Sequence, residues 1–246
     1  MSRDAFCLRP FACFEIAHHS VPRGDVYVCC PDWLPTPIGN MQRQSVAEIW
    51  NSPVAQEIRH SVLDGSYRHC RRDACPFLPS RRNAPEVAWL IGAHAAERIV
   101  RERRVELDHG PLQVNCAYDR SCTLSCPSCR TGIVVEHRAA GEILAIQAKV
   151  RAEALRDARQ LSLIGSGDPF GSPFCRSWLL SMRRGEAPRL ENIHIHTNGQ
   201  LWTPSLWQAI PAEVRALIGS TEISIDAAMS ATYAVNRRGV IGIQRG

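Results

Sequence analysis

The apolar positions in the second half of the chain alternate between short runs that predict strands and longer stretches with helical spacing. The strand-like runs lie at 112–117, 161–164, 193–196 and 222–225. The helical stretches lie at 139–160, 177–184 and 204–210. Alternation of strands and helices favours parallel pairing with right-handed crossovers. This half of the chain is therefore predicted to have an α/β fold with a parallel sheet.

The first 80 residues contain shorter elements that are separated by turn residues. Strands are predicted at 11–17 and 25–29, a proline-containing loop at 32–40, and two helices that begin at Val46 and Pro53. Ser45 is the predicted N-cap of the first helix, with Glu48 at the capping-box position. A longer helix from 83 to about 104 connects this segment to the parallel sheet. The expected division is a cysteine-rich α+β domain at 1–80, a connecting segment at 81–110 and an α/β core at 111–246.

The composition favours metal ligation by cysteine. The 246 residues include 11 cysteines, and the amino terminus lacks the apolar core of a signal peptide, so a reducing cytoplasm is expected. In that compartment cysteines are more often metal ligands than disulfides. No apolar run of about 18 residues is present, so no membrane helix is predicted. The net charge of +5 comes almost wholly from scattered arginines, which does not favour nucleic-acid binding.

Three cysteines, Cys122, Cys126 and Cys129, lie in one short loop directly after the strand at 112–117, with the spacing C-x3-C-x2-C. Zinc sites normally have four protein ligands in two close pairs, and no fourth Cys or His follows here at zinc spacing. Four-iron clusters are held by Cys thiolates, usually four of them. Three thiolates would leave one iron open to an external ligand, which is a hint of catalysis.

This cysteine loop resembles the signature of the radical S-adenosylmethionine (SAM) enzymes. The resemblance implies a partial βα barrel and a 4Fe-4S cluster at the three cysteines, with SAM bound to the open iron. It also implies reductive cleavage of SAM to a 5'-deoxyadenosyl radical, which abstracts hydrogen from an unidentified substrate, a peptide or a small molecule. A one-electron reductant such as flavodoxin or ferredoxin would be needed.

Polar turns after the later predicted strands resemble the SAM-contacting motifs of the same family. The residues that carry this resemblance are Gly165, Ser166, Gly167 and Asp168 after the second strand, Asn198 after the third, and Ser224 and Asp226 around the end of the fourth. The glycines allow close approach of the backbone to a ligand. Asp168 stands where the family usually has Glu, so a less direct role of this acid is expected. Each of these turns would be ordinary on its own.

The amino-terminal segment resembles a SPASM-type auxiliary-cluster domain. The matching residues are Cys7 with Pro10-Phe11, the hairpin that ends at Cys29-Cys30, Ile38-Gly39-Asn40, Ile49-Trp50-Asn51-Ser52 and Cys70-x4-Cys75. The resemblance implies a second 4Fe-4S cluster held by Cys7, Cys29, Cys70 and Cys75. Two choices stay open, because Cys13 could replace Cys7 and Cys30 could replace Cys29.

The segment 111–246 is short for a complete barrel of this family. Six βα units of about 30 residues need roughly 180 residues, and only four strands are predicted here. Two alternatives therefore remain besides a radical SAM enzyme. One is a catalytically inactive iron–sulfur or electron-transfer module, and the other is a zinc-binding nucleic-acid module.

Two four-iron clusters predict about eight irons per chain after anaerobic reconstitution. Replacement of Cys122, Cys126 and Cys129 by alanine should lower this content to about four, because only the amino-terminal cysteines then remain as ligands. Quantification of iron and acid-labile sulfide measures the change. Stoichiometric zinc without sulfide, or an iron content that the triple variant leaves unchanged, would contradict the assignment.

Overall fold

The computed structural model describes residues 6–78, 85–163 and 166–239. Its strands are β1 (Cys13–Ala17), β2 (Asp25–Tyr27), β3 (Gly39–Asn40), β4 (Gln113–Ala117), β5 (Gln160–Leu163), β6 (Asn192–Thr197) and β7 (Ser220–Ile223). Its α-helices are α1 (Val46–Trp50), α2 (Pro53–Leu63), α3 (Pro85–Ile91), α4 (Ala93–Glu102), α5 (Ala140–Lys149), α6 (Pro173–Ser181), α7 (Pro204–Ala209), α8 (Ala212–Arg215) and α9 (Ser230–Asn236). None of these described helices has both the length and the apolar character needed to cross a bilayer.

All seven strands belong to one sheet in the order β3-β2-β1-β4-β5-β6-β7. Strands β1 and β4 to β7 are mutually parallel, whereas β2 and β3 run antiparallel to their neighbours. The fold is therefore mixed α/β with a mostly parallel sheet. The sheet is open between its end strands β3 and β7, so the predicted partial barrel is not confirmed.

The strand β1 joins the cysteine-rich segment to the parallel half of the sheet. It pairs with β4 along its whole length, from Cys13 opposite Gln113 to Ala17 opposite Ala117. Because the parallel strands run the same way, their carboxyl ends lie at one edge of the sheet. We call this the carboxyl edge, and it is formed by the ends of β1, β4, β5, β6 and β7.

The predicted apolar stripe of the helix after β4 is buried as expected. Its members Ile143, Ile146, Val150, Ala154 and Leu155 are all within the core. The prediction of a helix to residue 160 was wrong. After Lys149 the helix continues as a π-helical turn, and Leu155 N–H donates to Val150 O at 3.1 Å.

The helix ends because the backbone N–H groups that follow it donate to the segment before β4. The N–H groups of Arg159 and Gln160 both donate to Leu112 O, at 2.8 and 3.0 Å. Gln160 is the first residue of β5. These hydrogen bonds to Leu112, just before β4, therefore form in place of the hydrogen bonds that would extend the helix.

Other element boundaries also differ from the sequence prediction. The helix predicted from 83 to 104 is divided into α3 and α4 at Gly92, whose φ of 79° does not belong to a right-handed helix. The helix predicted at 177–184 begins earlier, at Pro173, where Ser172 is the N-cap. The strand predicted at 222–225 is shifted to Ser220–Ile223, part of the predicted loop 32–40 forms β3, and α8 and α9 were not predicted.

The amino-terminal helices follow the sequence prediction closely. Ser45 and Glu48 form the predicted capping box of α1. In α2, Arg59 is fully buried and donates to the carbonyl oxygens of Pro10, Trp50 and Val105 at 2.7–2.9 Å. Its guanidinium also lies 4.5 Å from the centre of the Trp50 ring. Burial lowers its pKa to about 9, so the side chain keeps its charge at neutral pH.

Replacement of Arg59 by methionine should destabilise the fold strongly. The variant leaves buried carbonyl groups without donors, so we expect a loss of about 3 kcal/mol or more in the free energy of unfolding. Urea denaturation measures the loss. Arg101→Met, at an exposed position of α4, is the matched control and should have little effect. Equal losses in the two variants would contradict the prediction.

Candidate metal centres

The cysteine loop, defined as residues 118–130, follows β4 at the carboxyl edge. Cys122 forms an isolated bridge with Val134, and its N–H donates to Val134 O at 2.9 Å. The N–H groups of Cys129 and Arg130 both donate to Cys126 O at 2.9 Å. These backbone hydrogen bonds fold the loop into turns, with Cys122 and Cys126 buried and Cys129 exposed.

A cavity of about 260 Å³ lies at the carboxyl edge, and all three cysteines of the loop line it. Its other lining residues are Ser128, Arg130, Gly167, Asp168, His196, Thr197, Asn198, Ser224, Asp226 and Arg237. Most of the residues that resemble SAM contacts are thus beside the cysteine thiols. Ser166 does not line the cavity, and Gly165 lies outside the described residues.

Gly167 allows the turn after β5 to approach the cysteine loop. A Cβ atom at this position would lie 2.6 Å from the carbonyl oxygens of both Asp119 and Ser121, which is too close for any other residue. The next residue, Asp168, donates its N–H to Ser121 O at 2.8 Å. The close contact therefore fixes the position of the cysteine loop relative to the strand ends.

The carboxylate of Asp168 connects two turns of the carboxyl edge. One oxygen accepts from the N–H groups of Phe170 and Gly171, at 3.0 and 2.8 Å. The other accepts from Thr197 Oγ1 and Asn198 N–H, both at 2.7 Å. The side chain is buried and its oxygens are engaged by four protein donors. Asp168 thus holds Asn198 in place.

Ser224 and Asp226 reach the cavity by a different geometry from the one predicted. They were expected to share a strand face, but β7 ends at Ile223, so both lie beyond the strand. Ser224 N–H donates to Thr197 O at 2.9 Å, and its hydroxyl is 2.9 Å from His196 Nε2. Asp226 forms an ion pair with Arg237, with Nε 2.6 Å from Oδ2.

Three thiols line the cavity, which is the number expected for a four-iron cluster with one open iron. Among the described residues, no three His, Cys, Asp or Glu side chains converge tightly enough to surround one metal ion. The described residues that line the cavity include no fourth cysteine, and the imidazole Nε2 of His196 is engaged by Ser224.

The second group of cysteines lies in the amino-terminal segment. Burial, together with the nearby thiols of Cys29 and Cys70, raises the pKa of Cys7 to about 12. Burial likewise raises the pKa of Cys70 to about 11, with contributions from Cys29 and Cys75. These effects connect Cys7 and Cys29 with Cys70, and Cys70 with Cys75. These four cysteines are the residues that the SPASM-like pattern predicts as ligands.

The two competing cysteines have other surroundings. Cys13 is buried in β1, and its thiol donates to Gln113 Oε1 at 3.4 Å. Burial raises the pKa of the Cys30 thiol, and the neighbouring Glu15, Asp32 and Cys29 raise it as well. The thiol of Cys29 accepts from Trp33 Nε1 at 3.1 Å and interacts with Arg9. These contacts favour Cys7 over Cys13, and they leave the choice between Cys29 and Cys30 open.

The two cysteine groups lie toward opposite edges of the sheet. Because β2 is antiparallel to β1, with Tyr27 opposite Glu15, Cys29 comes beside the amino-terminal end of β1. The cysteine loop follows the carboxyl-terminal end of β4. The length of β1, five residues, separates the two ends by roughly 15 Å.

Arg23, Arg130 and Arg237 lie near the cavity and were not singled out from the sequence, whereas His18 was expected in an exposed turn. The hairpin loop after β1 contacts the cysteine loop, since Arg23 Nη1 donates to Tyr118 O at 2.6 Å. His18 Nδ1 is 2.6 Å from Ser166 Oγ, and burial lowers the pKa of His18 to about 4. Arg130 and Arg237 each donate to a cysteine sulfur. The parallel pairing of β1 with β4 brings the hairpin loop to this position. This pairing could not be predicted from the spacing of residues in the sequence.

Single substitutions should separate the amino-terminal ligands from their competitors. We expect Cys7→Ala and Cys29→Ala to lose the iron of the amino-terminal site, because each removes one of four thiolates. Cys13→Ala and Cys30→Ala should retain it. Iron and sulfide quantification in the Cys122, Cys126, Cys129 triple alanine background measures this site alone. Loss of iron in Cys13→Ala with retention in Cys7→Ala would make Cys13 the ligand in place of Cys7. Loss of iron in Cys30→Ala with retention in Cys29→Ala would make Cys30 the ligand in place of Cys29.

Comparison with known families agrees with the arrangement of the amino-terminal cysteines. Residues 7–76 match the model of the SPASM family, described as an iron-sulfur cluster-binding domain. No curated protein and no solved structure matches the chain. The family match covers the segment with Cys7, Cys29, Cys70 and Cys75 and ends before the cysteine loop. The chain thus contains a segment similar to an auxiliary iron–sulfur domain.

Proposed function

We propose that the chain is a radical SAM enzyme with an auxiliary iron–sulfur domain at its amino-terminal end. One observation carries the proposal. The three cysteines of the C-x3-C-x2-C loop share a single cavity with Gly167, Asp168, Asn198, Ser224 and Asp226. These residues come from four different strand ends, and the same family resemblance singled them out from the sequence. Their convergence at the carboxyl edge, where α/β proteins bind ligands, supports a common site.

In this proposal each part of the cavity has a separate task. Cys122, Cys126 and Cys129 would hold three irons of a 4Fe-4S cluster and would leave the fourth iron open to SAM. When bound and reduced, the cluster supplies the electron that cleaves SAM to methionine and a 5'-deoxyadenosyl radical. The backbone of Gly167, which lines the cavity, would offer its polar groups to the cofactor. Since the carboxylate of Asp168 already accepts from four protein donors, it positions Asn198.

The amino-terminal site completes the proposal. Cys7, Cys29, Cys70 and Cys75 would hold a second 4Fe-4S cluster, which carries electrons or engages the substrate. A one-electron reductant such as flavodoxin or ferredoxin would supply electrons in a reducing cytoplasm. The substrate would be a peptide or a small molecule that the radical can reach.

A catalytically inactive iron–sulfur or electron-transfer module is the second candidate, and the size of the cavity favours it. Its volume of about 260 Å³ is slightly below the range of about 300–1,000 Å³ that is typical of pockets for drug-sized ligands. The ion pair between Arg237 and Asp226 also engages a carboxylate that SAM would contact. This candidate predicts cluster binding without cleavage of SAM.

Formation of 5'-deoxyadenosine tests the two candidates directly. The anaerobically reconstituted chain, given SAM and dithionite, should release 5'-deoxyadenosine, and Cys126→Ala should lower the yield at least about 100-fold because the cluster loses a ligand. Cys175→Ala, at a cysteine of α6 that belongs to neither ligand group, is the matched control and should keep the yield of the unmodified chain. Chromatographic quantification of the nucleoside measures both. A chain that holds both clusters and releases no 5'-deoxyadenosine would establish the inactive module.

A further inference from the structure

Each sulfur of the cysteine loop contacts a side-chain N–H donor, one from within the loop and two from later segments of the chain. Asn198 Nδ2 donates to Cys122 Sγ at 3.7 Å, Arg237 Nη1 donates to Cys126 Sγ at 3.6 Å, and Arg130 Nη2 donates to Cys129 Sγ at 3.3 Å. We propose that Arg130 and Arg237 are positioning residues that raise the reduction potential of the cluster held by this loop. The inference rests on the proposed function, because it requires a cluster at these three cysteines.

Arg130 is held against Cys129 by backbone groups on two sides. Its Nη1 donates to Arg120 O at 2.7 Å, and its Nη2 also contacts Ser166 O. The guanidinium thus bridges the cysteine loop and the turn after β5. In the described part of the chain Arg130 has no carboxylate within ion-pair distance, so its charge is not offset locally. Its position beside Cys129 is partly open to solvent, which screens this charge.

Arg237 is held against Cys126 by a carboxylate and by the backbone of the next residue. Its Nε lies 2.6 Å from Asp226 Oδ2, and its Nη2 donates to Asp226 Oδ1 at 2.8 Å. The neighbouring carbonyl of Arg238 accepts from Ser125 N–H at 2.7 Å, so the segment after α9 lies along the cysteine loop. The Arg237 side chain is only 14% exposed, which limits solvent screening, although Asp226 offsets part of its charge.

The direction of the effect follows from the charge of the cluster. One-electron reduction adds a negative charge to the cluster and its thiolates. Nearby positive charge and N–H donors to sulfur stabilise the reduced form more than the oxidised form, so they raise the potential. Removal of either guanidinium should therefore make the cluster harder to reduce. Because the two arginines contact different sulfurs, their effects should be close to additive.

Potentiometric titration monitored by EPR tests the inference on the full chain, anaerobically reconstituted and without SAM. Arg130→Gln and Arg237→Gln should each shift the midpoint of the loop cluster to more negative potential, and the double variant should shift it by about the sum. Arg130→Lys and Arg237→Lys keep the charge and should shift it less than the glutamine variants. Iron and sulfide quantification shows that the cluster is assembled in each case.

Two controls accompany the measurement. Arg238→Gln removes an exposed arginine next to Arg237 whose side chain contacts no cysteine in the described structure, and it should leave the midpoint unchanged. The amino-terminal cluster, toward the opposite edge of the sheet, should keep its midpoint in all variants.

Two results would overturn the inference. One is an unchanged midpoint in both glutamine variants with the loop cluster fully assembled. The other is loss of the loop cluster in the lysine as well as the glutamine variants, which would mean that the arginines only hold the loop together. Failure of the unmodified chain to assemble a cluster at Cys122, Cys126 and Cys129 would instead remove the proposed function, and this inference with it.

Discussion

The contact between the turn after β5 and the cysteine loop is the constraint on which the candidate site depends. Gly167 lies where a Cβ would meet two carbonyl oxygens at 2.6 Å, and Asp168 then connects the cysteine loop, its own turn and the turn after β6 through hydrogen bonds of 2.7–3.0 Å. A buried carboxylate is stable only when its oxygens are satisfied, and here four donors satisfy them. The same bonds bring Asn198 beside Cys122. The shape of the cavity therefore depends on the carboxylate of Asp168 and on the absence of a side chain at Gly167.

The pairing of β1 with β4 determines how the two cysteine groups are related. It makes the amino-terminal segment part of the central sheet, and it sends the hairpin loop with His18 and Arg23 to the carboxyl edge. The same register leaves Cys29 beside the amino-terminal end of β1. Two clusters in these places would be separated by the core of the sheet, at a distance of about one strand length.

Much of the fold could be read from local sequence signals, and the remainder depended on contacts between distant segments. Ser45 with Glu48 and Pro53 predicted the amino-terminal helices, and apolar runs predicted the central strands. Gly92 is a local signal for the break between α3 and α4, and Ser172-Pro173 is one for the start of α6. The apolar periodicity on both sides of Gly92 nevertheless led to the prediction of one continuous helix. The end of the helix near Leu155 had no such signal, because it is set by the pairing of Gln160 with Leu112. The donors to the cysteine sulfurs could not be predicted, since Arg237 and Cys126 are 111 positions apart.

The geometry of Arg237 indicates why an arginine, and not a lysine, suits this position. Its Nε and Nη2 face the two oxygens of Asp226, which leaves Nη1 directed at Cys126. A planar guanidinium can hold a carboxylate with one side and donate to sulfur with the other, whereas an ammonium group has no fixed direction for its donors. Asp226 therefore has two effects that oppose each other. It fixes the donor at the sulfur, and it offsets part of the positive charge that the donor brings.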